Sequence, residues 1–190
     1  MTQDDIEYLK TLPRFRGIGD TEFMGLARCV DVLEPMRPGK VLFEQGDPSD
    51  GAYIVRSGQL TVEVSMPDGS GRVVAHLGPG TMVGELCLIE DAPRALRVKT
   101  AVPTVVMRVD RERFEALRRK GHSGAYKLIR SIALTVCDRL RNTNMQIEEK
   151  WQGVTASSTE MEVVRIKPQA GGAGGGLSAW DRLRGLFGRD

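Results

Sequence analysis

The sequence lacks a strong excess of either charge: 27 Lys and Arg oppose 25 Asp and Glu, for a net +2. No global field therefore singles out nucleic acid as a partner. It also lacks an apolar run long enough to span a bilayer, and its first residues, Met1-Thr-Gln-Asp-Asp5, are acidic where a signal peptide is basic and then apolar. These features predict a cytoplasmic protein. Cysteine is scarce. Cys29, Cys87 and Cys137 lie far apart among apolar neighbours, a pattern that suggests neither a zinc site nor an iron–sulfur centre and predicts buried free thiols in a reducing compartment. Histidine is scarcer still. Neither His76 nor His122 has a nucleophile or metal-ligand set around it, so no catalytic residue, metal site or cofactor is expected and the chain does not read as an enzyme.

What is present is ordinary for a globular chain. At 190 residues, 41% hydrophobic and 27% charged, the length suits one domain with appendages. Asp4 to Leu12 and Asp20 to Cys29 read as two short helices, the second capped by Asp20 or Thr21 and carrying Phe23, Leu26 and Ala27 at helical spacing. Their expected role is a lid on a neighbouring sheet. From Val30 to Asp110 the texture changes to short β-type runs, at Val41–Phe43, Ala52–Val55, Leu60–Val64, Arg72–Ala75, Arg97–Ala101 and Thr104–Val109. Gly- and Pro-containing turns separate them, with Pro67-Asp68-Gly69 the clearest hairpin, and this regular punctuation predicts a compact all-β barrel or roll. Asp110 to Lys120 reads as a short helix, Gly121 to Gly124 as a break and hinge, and about Ala125 to Glu149 as a long helix. Along it Ile129, Ile132, Val136, Leu140, Thr143 and Ile147 recur at intervals of three or four, the seam of a two-stranded coiled coil and hence of a homodimer.

One stretch within the β region carries chemistry. Gly84 has no Cβ and permits positive φ and close approach to a ligand. Glu85 to Glu90 reads as a single helical turn whose leading N–H groups attract an anion, with Leu86, Leu88 and Ile89 available to a core. Pro93 ends the turn and frees the Arg94 side chain to swing back, completing a phosphate cradle of amides and a fork-shaped guanidinium. A carboxylate in such a place has a use if the ligand is a sugar phosphate: Glu85 accepts a hydroxyl proton while Arg94 holds the phosphate. Val74, Leu77, Met82 and Val83 lie on or near flanking strands, where core packing competes with a role as an apolar wall for a ribose and base.

Gly84-Glu85-Leu86, Pro93-Arg94-Ala95 and the spacing between them resemble the phosphate-binding cassette of the cyclic-nucleotide-binding domain family. The resemblance extends over roughly residues 15 to 145, and Gly39, Gly46, Gly51 and Gly58 fall where that family places its turn glycines. It implies a mainly β fold with helices: a double-stranded β-helix (jelly roll) over 31–120, flanked by N-terminal helices over 1–30 and a long C-terminal helix over 121–150. It also implies that Glu85 binds a ribose 2′-hydroxyl, that Arg94 and the Ala95 amide bind the cyclic phosphate, and that Gly84 and Leu86 let the backbone close on the sugar. Ala95 in place of Thr or Ser favours cyclic AMP (cAMP) over cyclic GMP (cGMP). Arg139 to Asn144 is similar to the place in the family where a dimerisation helix meets the adenine, which makes Thr143 and Asn144 base-contacting candidates.

After Trp151 the resemblance ends. The 39 remaining residues hold one strand-like run, Met161 to Ile166, then a Gly-rich linker at Gly171–Gly176 within 151–176. No recognition helix can be built from them, so no DNA partner is expected. Residues 177–190 form an amphipathic peptide. Ser178 and Asp181 fit a capping box, and Leu177, Trp180, Leu183 and Phe187 gather on one helical face, a pattern suited to docking on a protein partner or an anionic membrane. The expectation is a cyclic-nucleotide sensor that signals through a partner, set against a homodimeric adaptor that keeps the fold and uses no ligand.

Overall fold

The computed structural model describes residues 1–66 and 71–155. The Pro67-Asp68-Gly69 turn, the Met161–Ile166 run, the Gly171–Gly176 linker and the Leu177–Asp190 peptide lie outside the described residues. Residues Met1–Met145 form one compact unit, and Gln146–Asp190 are assigned to a second.

The chain begins with helix α1 (Gln3–Thr11), started by a capping box in which Thr2 and Asp5 satisfy each other's backbone amides. A 3-10 turn at Pro13–Phe15 leads into α2 (Asp20–Ala27). Among the described residues eight strands follow: β1 (Val30–Val32), β2 (Val41–Phe43), β3 (Gly51–Ser57), β4 (Leu60–Ser65), β5 (Gly71–Leu77), β6 (Met82–Val83), β7 (Arg97–Thr100) and β8 (Val105–Asp110). A second 3-10 turn, Glu85–Leu88, lies between β6 and β7, and the described chain closes with α3 (Arg111–Arg119) and α4 (Ser123–Thr155).

Among the described residues the strands pair antiparallel in two four-stranded sheets, β1-β8-β3-β6 and β2-β7-β4-β5, the face-to-face arrangement of a jelly roll. Alternation along β3 explains the two cores. Ala52 and Ile54 point to one face, where Met82, Met107 and Val109 join Leu9, Phe23, Leu26, Phe114, Leu128 and Ile132 from the helices. Tyr53 and Val55 point to the other face and meet Phe43, Leu60, Val62, Val83, Val98 and Val106 between the sheets. Because β3 is covered on both sides over its first five residues, Gly51 to Val55 form a continuous apolar run.

The observed elements depart from the expected ones in several places; α2, for one, is entered at Gly19 and is not capped by Asp20 or Thr21. Strands β1 and β6 are additional to the runs read from sequence. Gly124 belongs to the first turn of α4, packed against Glu22, so the break there reduces to the positive-φ Gly121 and His122. Helix α4 runs to Thr155, past the residue at which the linker is expected to begin. Cys29 and Cys87 are buried, whereas Cys137 is exposed on α4.

The coiled-coil seam is also redistributed. Ile132 is fully buried, and Ile129 and Val136 pack against the chain's own core. The later seam positions Leu140, Thr143 and Ile147 are exposed, and Leu134, Cys137 and Met145 are exposed on α4 as well.

Candidate nucleotide site

Gly84 stands between β6 and the second 3-10 turn with φ +65°, a left-handed conformation that an L side chain adopts only at a cost. The turn it launches faces Cys87 and Leu88 into the core and leaves Leu86 and Ile89 exposed. The expectation that Leu86 and Ile89 serve the core therefore fails. With three residues per turn, a 3-10 segment brings different positions inward from an α-helical one.

Glu85 is the buried acid of this turn, 4% exposed. Its Oε1 accepts a hydrogen bond from Arg139 Nη1 of α4 at 2.7 Å. Arg14, from the first 3-10 turn, is close enough to feel the same carboxylate. Burial pushes the Arg14 pKa down, Glu85 offsets this in part, and Arg139 adds to the lowering.

Arg94 is also 4% exposed. The loop before β3 braces its backbone: Arg94 N–H donates to the Asp47 carbonyl at 2.9 Å, Gly46 N–H to the Arg94 carbonyl at 2.8 Å, and the Ser49 hydroxyl to the Ala92 carbonyl at 2.9 Å. The guanidinium Nη2 donates to Asp50 Oδ1 and to the Gly51 carbonyl, both at 2.7 Å, and Nη1 to the Gly84 carbonyl at 3.2 Å. Its face lies over Phe43, 4.1 Å from the ring centroid, with Tyr53 at 5.5 Å. The buried Nε has no hydrogen-bond partner among the described residues.

Sequence reasoning passed over Asp50, reading its surroundings as a turn. Burial acts to raise the Asp50 pKa, but the Tyr53 hydroxyl, at 2.8 Å from Oδ2, and the Arg94 guanidinium outweigh it and hold the carboxyl below its ordinary value. The Tyr53 phenol moves the other way: burial first, then its bond to Asp50, push it up to about 12.

Gly84, Glu85, Leu86, Arg94 and Ala95 all line one cavity of about 500 Å³. Val74, Leu77, Met82 and Val83 contribute to its apolar wall, as do Phe43, Val62 and Val98, which sequence reasoning left unassigned. The size and the balance of a mainly apolar lining with a few convergent polar groups are those of a small-molecule site. From α4, the lining residue is Arg139. Thr143 and Asn144 are exposed one turn further along α4 and do not line the cavity within this chain, and the Thr143 hydroxyl donates to the Arg139 carbonyl at 2.9 Å.

A jelly roll that presents an acid and a guanidinium to one cavity, from a single bend between strands, has the features of a small-molecule-binding domain. Residues 33–120 match the family model for the cyclic nucleotide-binding domain. A solved cyclic nucleotide-binding-like protein from Brucella abortus is 30% identical, with a TM-score of 0.53, and the match covers 61% of this chain and 98% of that one. The chain belongs to the cyclic nucleotide-binding domain family. The cAMP-dependent protein kinase regulatory subunit of Dictyostelium discoideum is 35% identical over 58% of this chain and 35% of its own length. Acetyltransferase Pat of Mycolicibacterium smegmatis is 36% identical over 45% of this chain and 26% of its own. The chain thus spans about a third or less of the length of these two relatives. No helix among the described residues is long and apolar enough to cross a membrane.

Proposed function

We propose that the protein is a cyclic-nucleotide sensor that prefers cAMP, works in the cytoplasm as a homodimer and passes the signal to a partner without catalysing a reaction. The observation that carries this reading is the placement of two buried, oppositely charged side chains, Glu85 and Arg94, on the wall of one cavity, each with its own partner elsewhere. Burial of such groups is costly unless something compensates it. Asp50 compensates Arg94 in part, and the Gly51 and Gly84 carbonyls accept from the same guanidinium. In this reading Glu85 takes the ribose 2′-hydroxyl, Arg94 and the Ala95 amide take the cyclic phosphate, and Gly84 and Leu86 border the sugar. The apolar wall receives the base. Displacement of a fluorescent cAMP analogue by cAMP and by cGMP tests the preference, and equal or better displacement by cGMP contradicts it.

Exposed Leu134, Cys137, Leu140 and Met145 on α4 support a second copy of the chain as the partner for that helix face. Thr143 and Asn144 then reach a base held by the other copy. Leu177, Trp180, Leu183 and Phe187 are assigned to docking on a protein or membrane partner from their sequence pattern. Pull-downs with and without residues 177–190, each with and without cAMP, test that assignment.

A further inference from the structure

Helices α2 and α3 lie antiparallel. Arg113 Nη1, at the start of α3, donates to the Arg28 carbonyl at the end of α2 at 3.0 Å. His122, just past the end of α3, sits so close on Gly25 that a Cβ there would fall on its Nε2. Each helix turns one face to the core, Phe23, Leu26 and Ala27 from α2 and Phe114 from α3. Their other faces converge on an open groove of about 760 Å³, which shares no lining residue with the nucleotide cavity.

Both helices line this groove in the same pattern. Thr21, Met24, Gly25 and Arg28 come from α2 and its C-cap, and Arg113, Ala116, Leu117 and Lys120 from α3 and its C-cap. Each set occupies positions i, i+3, i+4 and i+7, a single helical face. The middle pairs, Met24-Gly25 and Ala116-Leu117, make an apolar floor in which glycine and alanine permit close approach. Met24 is 47% exposed there, an adaptable thioether side chain with no cover.

The rim is basic. Arg28, Arg113 and Lys120 line the groove against one carboxylate, Asp20, which Lys10 already holds at 2.7 Å. Arg113 is committed to Asp31 and Asp110. Among the described residues Arg28 and Lys120 form no ion pair. They follow the ends of two antiparallel helices and so mark opposite ends of the groove, about 12 Å apart by the rise of the eight residues of α2. A flat lipid surface does not follow such a concavity, and an added strand needs an unpaired sheet edge, which two helices do not offer. A third helix can seat its ridge of side chains between the other two.

We propose that the α2–α3 groove docks an acidic amphipathic helix of a partner protein, about two to three turns long, with its apolar face on Met24 and Leu117 and a carboxylate near each end facing Arg28 and Lys120. The proposal holds whether or not the cavity beside Glu85 and Arg94 takes a nucleotide.

The experiment selects binders to the full-length protein from a displayed library of helix-templated peptides of about 15 residues, long enough to hold a helix. Enriched sequences are made with a fluorescein label and titrated by anisotropy against wild type, Arg28→Glu/Lys120→Glu, Met24→Asp and, as a control on α4, Leu140→Glu. All four substituted side chains are exposed, so the core is left untouched. The enriched peptides should be acidic and amphipathic, and should lose about 10-fold or more in affinity for Arg28→Glu/Lys120→Glu and for Met24→Asp, but not for Leu140→Glu. Binding should also weaken as salt rises from about 0.05 to 0.5 M. A selection that enriches nothing, enriches peptides without an acidic bias, or yields binders indifferent to the Arg28→Glu/Lys120→Glu pair overturns the proposal. Phosphatidylcholine/phosphatidylserine vesicles that bind wild type but not Arg28→Glu/Lys120→Glu overturn it in favour of a membrane surface. A wild-type dimer that Met24→Asp converts to monomer overturns it in favour of a second copy of the chain.

Discussion

Gly84 and Arg94 are packed so closely that a Cβ on the glycine would fall on the Nη1 atom of the arginine. The same glycine has φ +65° and accepts Nη1 on its carbonyl. Backbone shape and guanidinium position are therefore one feature. Gly84→Ala should destabilise the fold by about 1–2 kcal/mol from the left-handed backbone alone. It should also move Arg94 and weaken nucleotide binding more than stability. Chemical denaturation and a ligand titration on the same variant check both parts. Unchanged affinity would separate the two residues.

Asp50 holds Arg94 from the side of β3. Its own side chain is 51% exposed, so water screens the pair, but Arg94 at 2% is cut off from solvent. Asp50→Ala leaves a buried cation with carbonyl partners only, and should cost roughly 1–3 kcal/mol. Asp50→Asn should cost less, since an amide oxygen can still accept. The comparison of denaturation midpoints for the two variants decides whether charge or hydrogen bonding dominates.

Glu22 joins α2 to α4. Its carboxylate accepts from Lys127 Nζ at 2.6 Å, the Ser123 hydroxyl at 2.5 Å and the Gly19 amide at 2.9 Å. In that order these bonds lower its pKa from the ordinary 4.5 to about 2. A folded-state value below the unfolded one means that the stabilisation is complete above pH 4.5 and is lost as pH falls towards 2. Thermal melts of Glu22→Gln should therefore show a shallower loss of stability across that acid window than the wild type. Parallel curves would remove Glu22 as a contributor.

Leu140 is 61% exposed on α4. If a second copy covers that helix face, Leu140→Glu should yield a folded monomer in sedimentation equilibrium where the wild type is dimeric. A monomeric wild type would leave Thr143 and Asn144 without access to any base.

The cassette was legible in the sequence because its parts are local: Gly84, Glu85, Arg94 and Ala95 lie within twelve consecutive residues. Strands β2, β3, β4, β5, β7 and β8 were legible for a similar reason, as each carries enough β-branched or apolar residues between turns. Strand β6 has two residues, too few for a period to show, and β1 sets Asp31 between two valines where the equally short β2 is wholly apolar. Asp50 and Arg139 escaped notice because their roles depend on partners 44 and 54 residues away, which no spacing rule connects. Ile129, Ile132 and Val136 illustrate another limit. Helical periodicity marks an apolar face, and it is silent on whether that face meets the chain's own sheet or a second molecule.

The central claim is that Glu85 and Arg94 together bind a cyclic nucleotide, and calorimetric titration of the full-length protein with cAMP tests it most directly. The account predicts saturable binding at a single site per chain, weakened by Glu85→Gln and abolished by Arg94→Ala in a variant that still folds. Absence of binding heat at millimolar cAMP and cGMP, or wild-type affinity in Arg94→Ala, would contradict it and favour an adaptor that keeps the fold without the ligand.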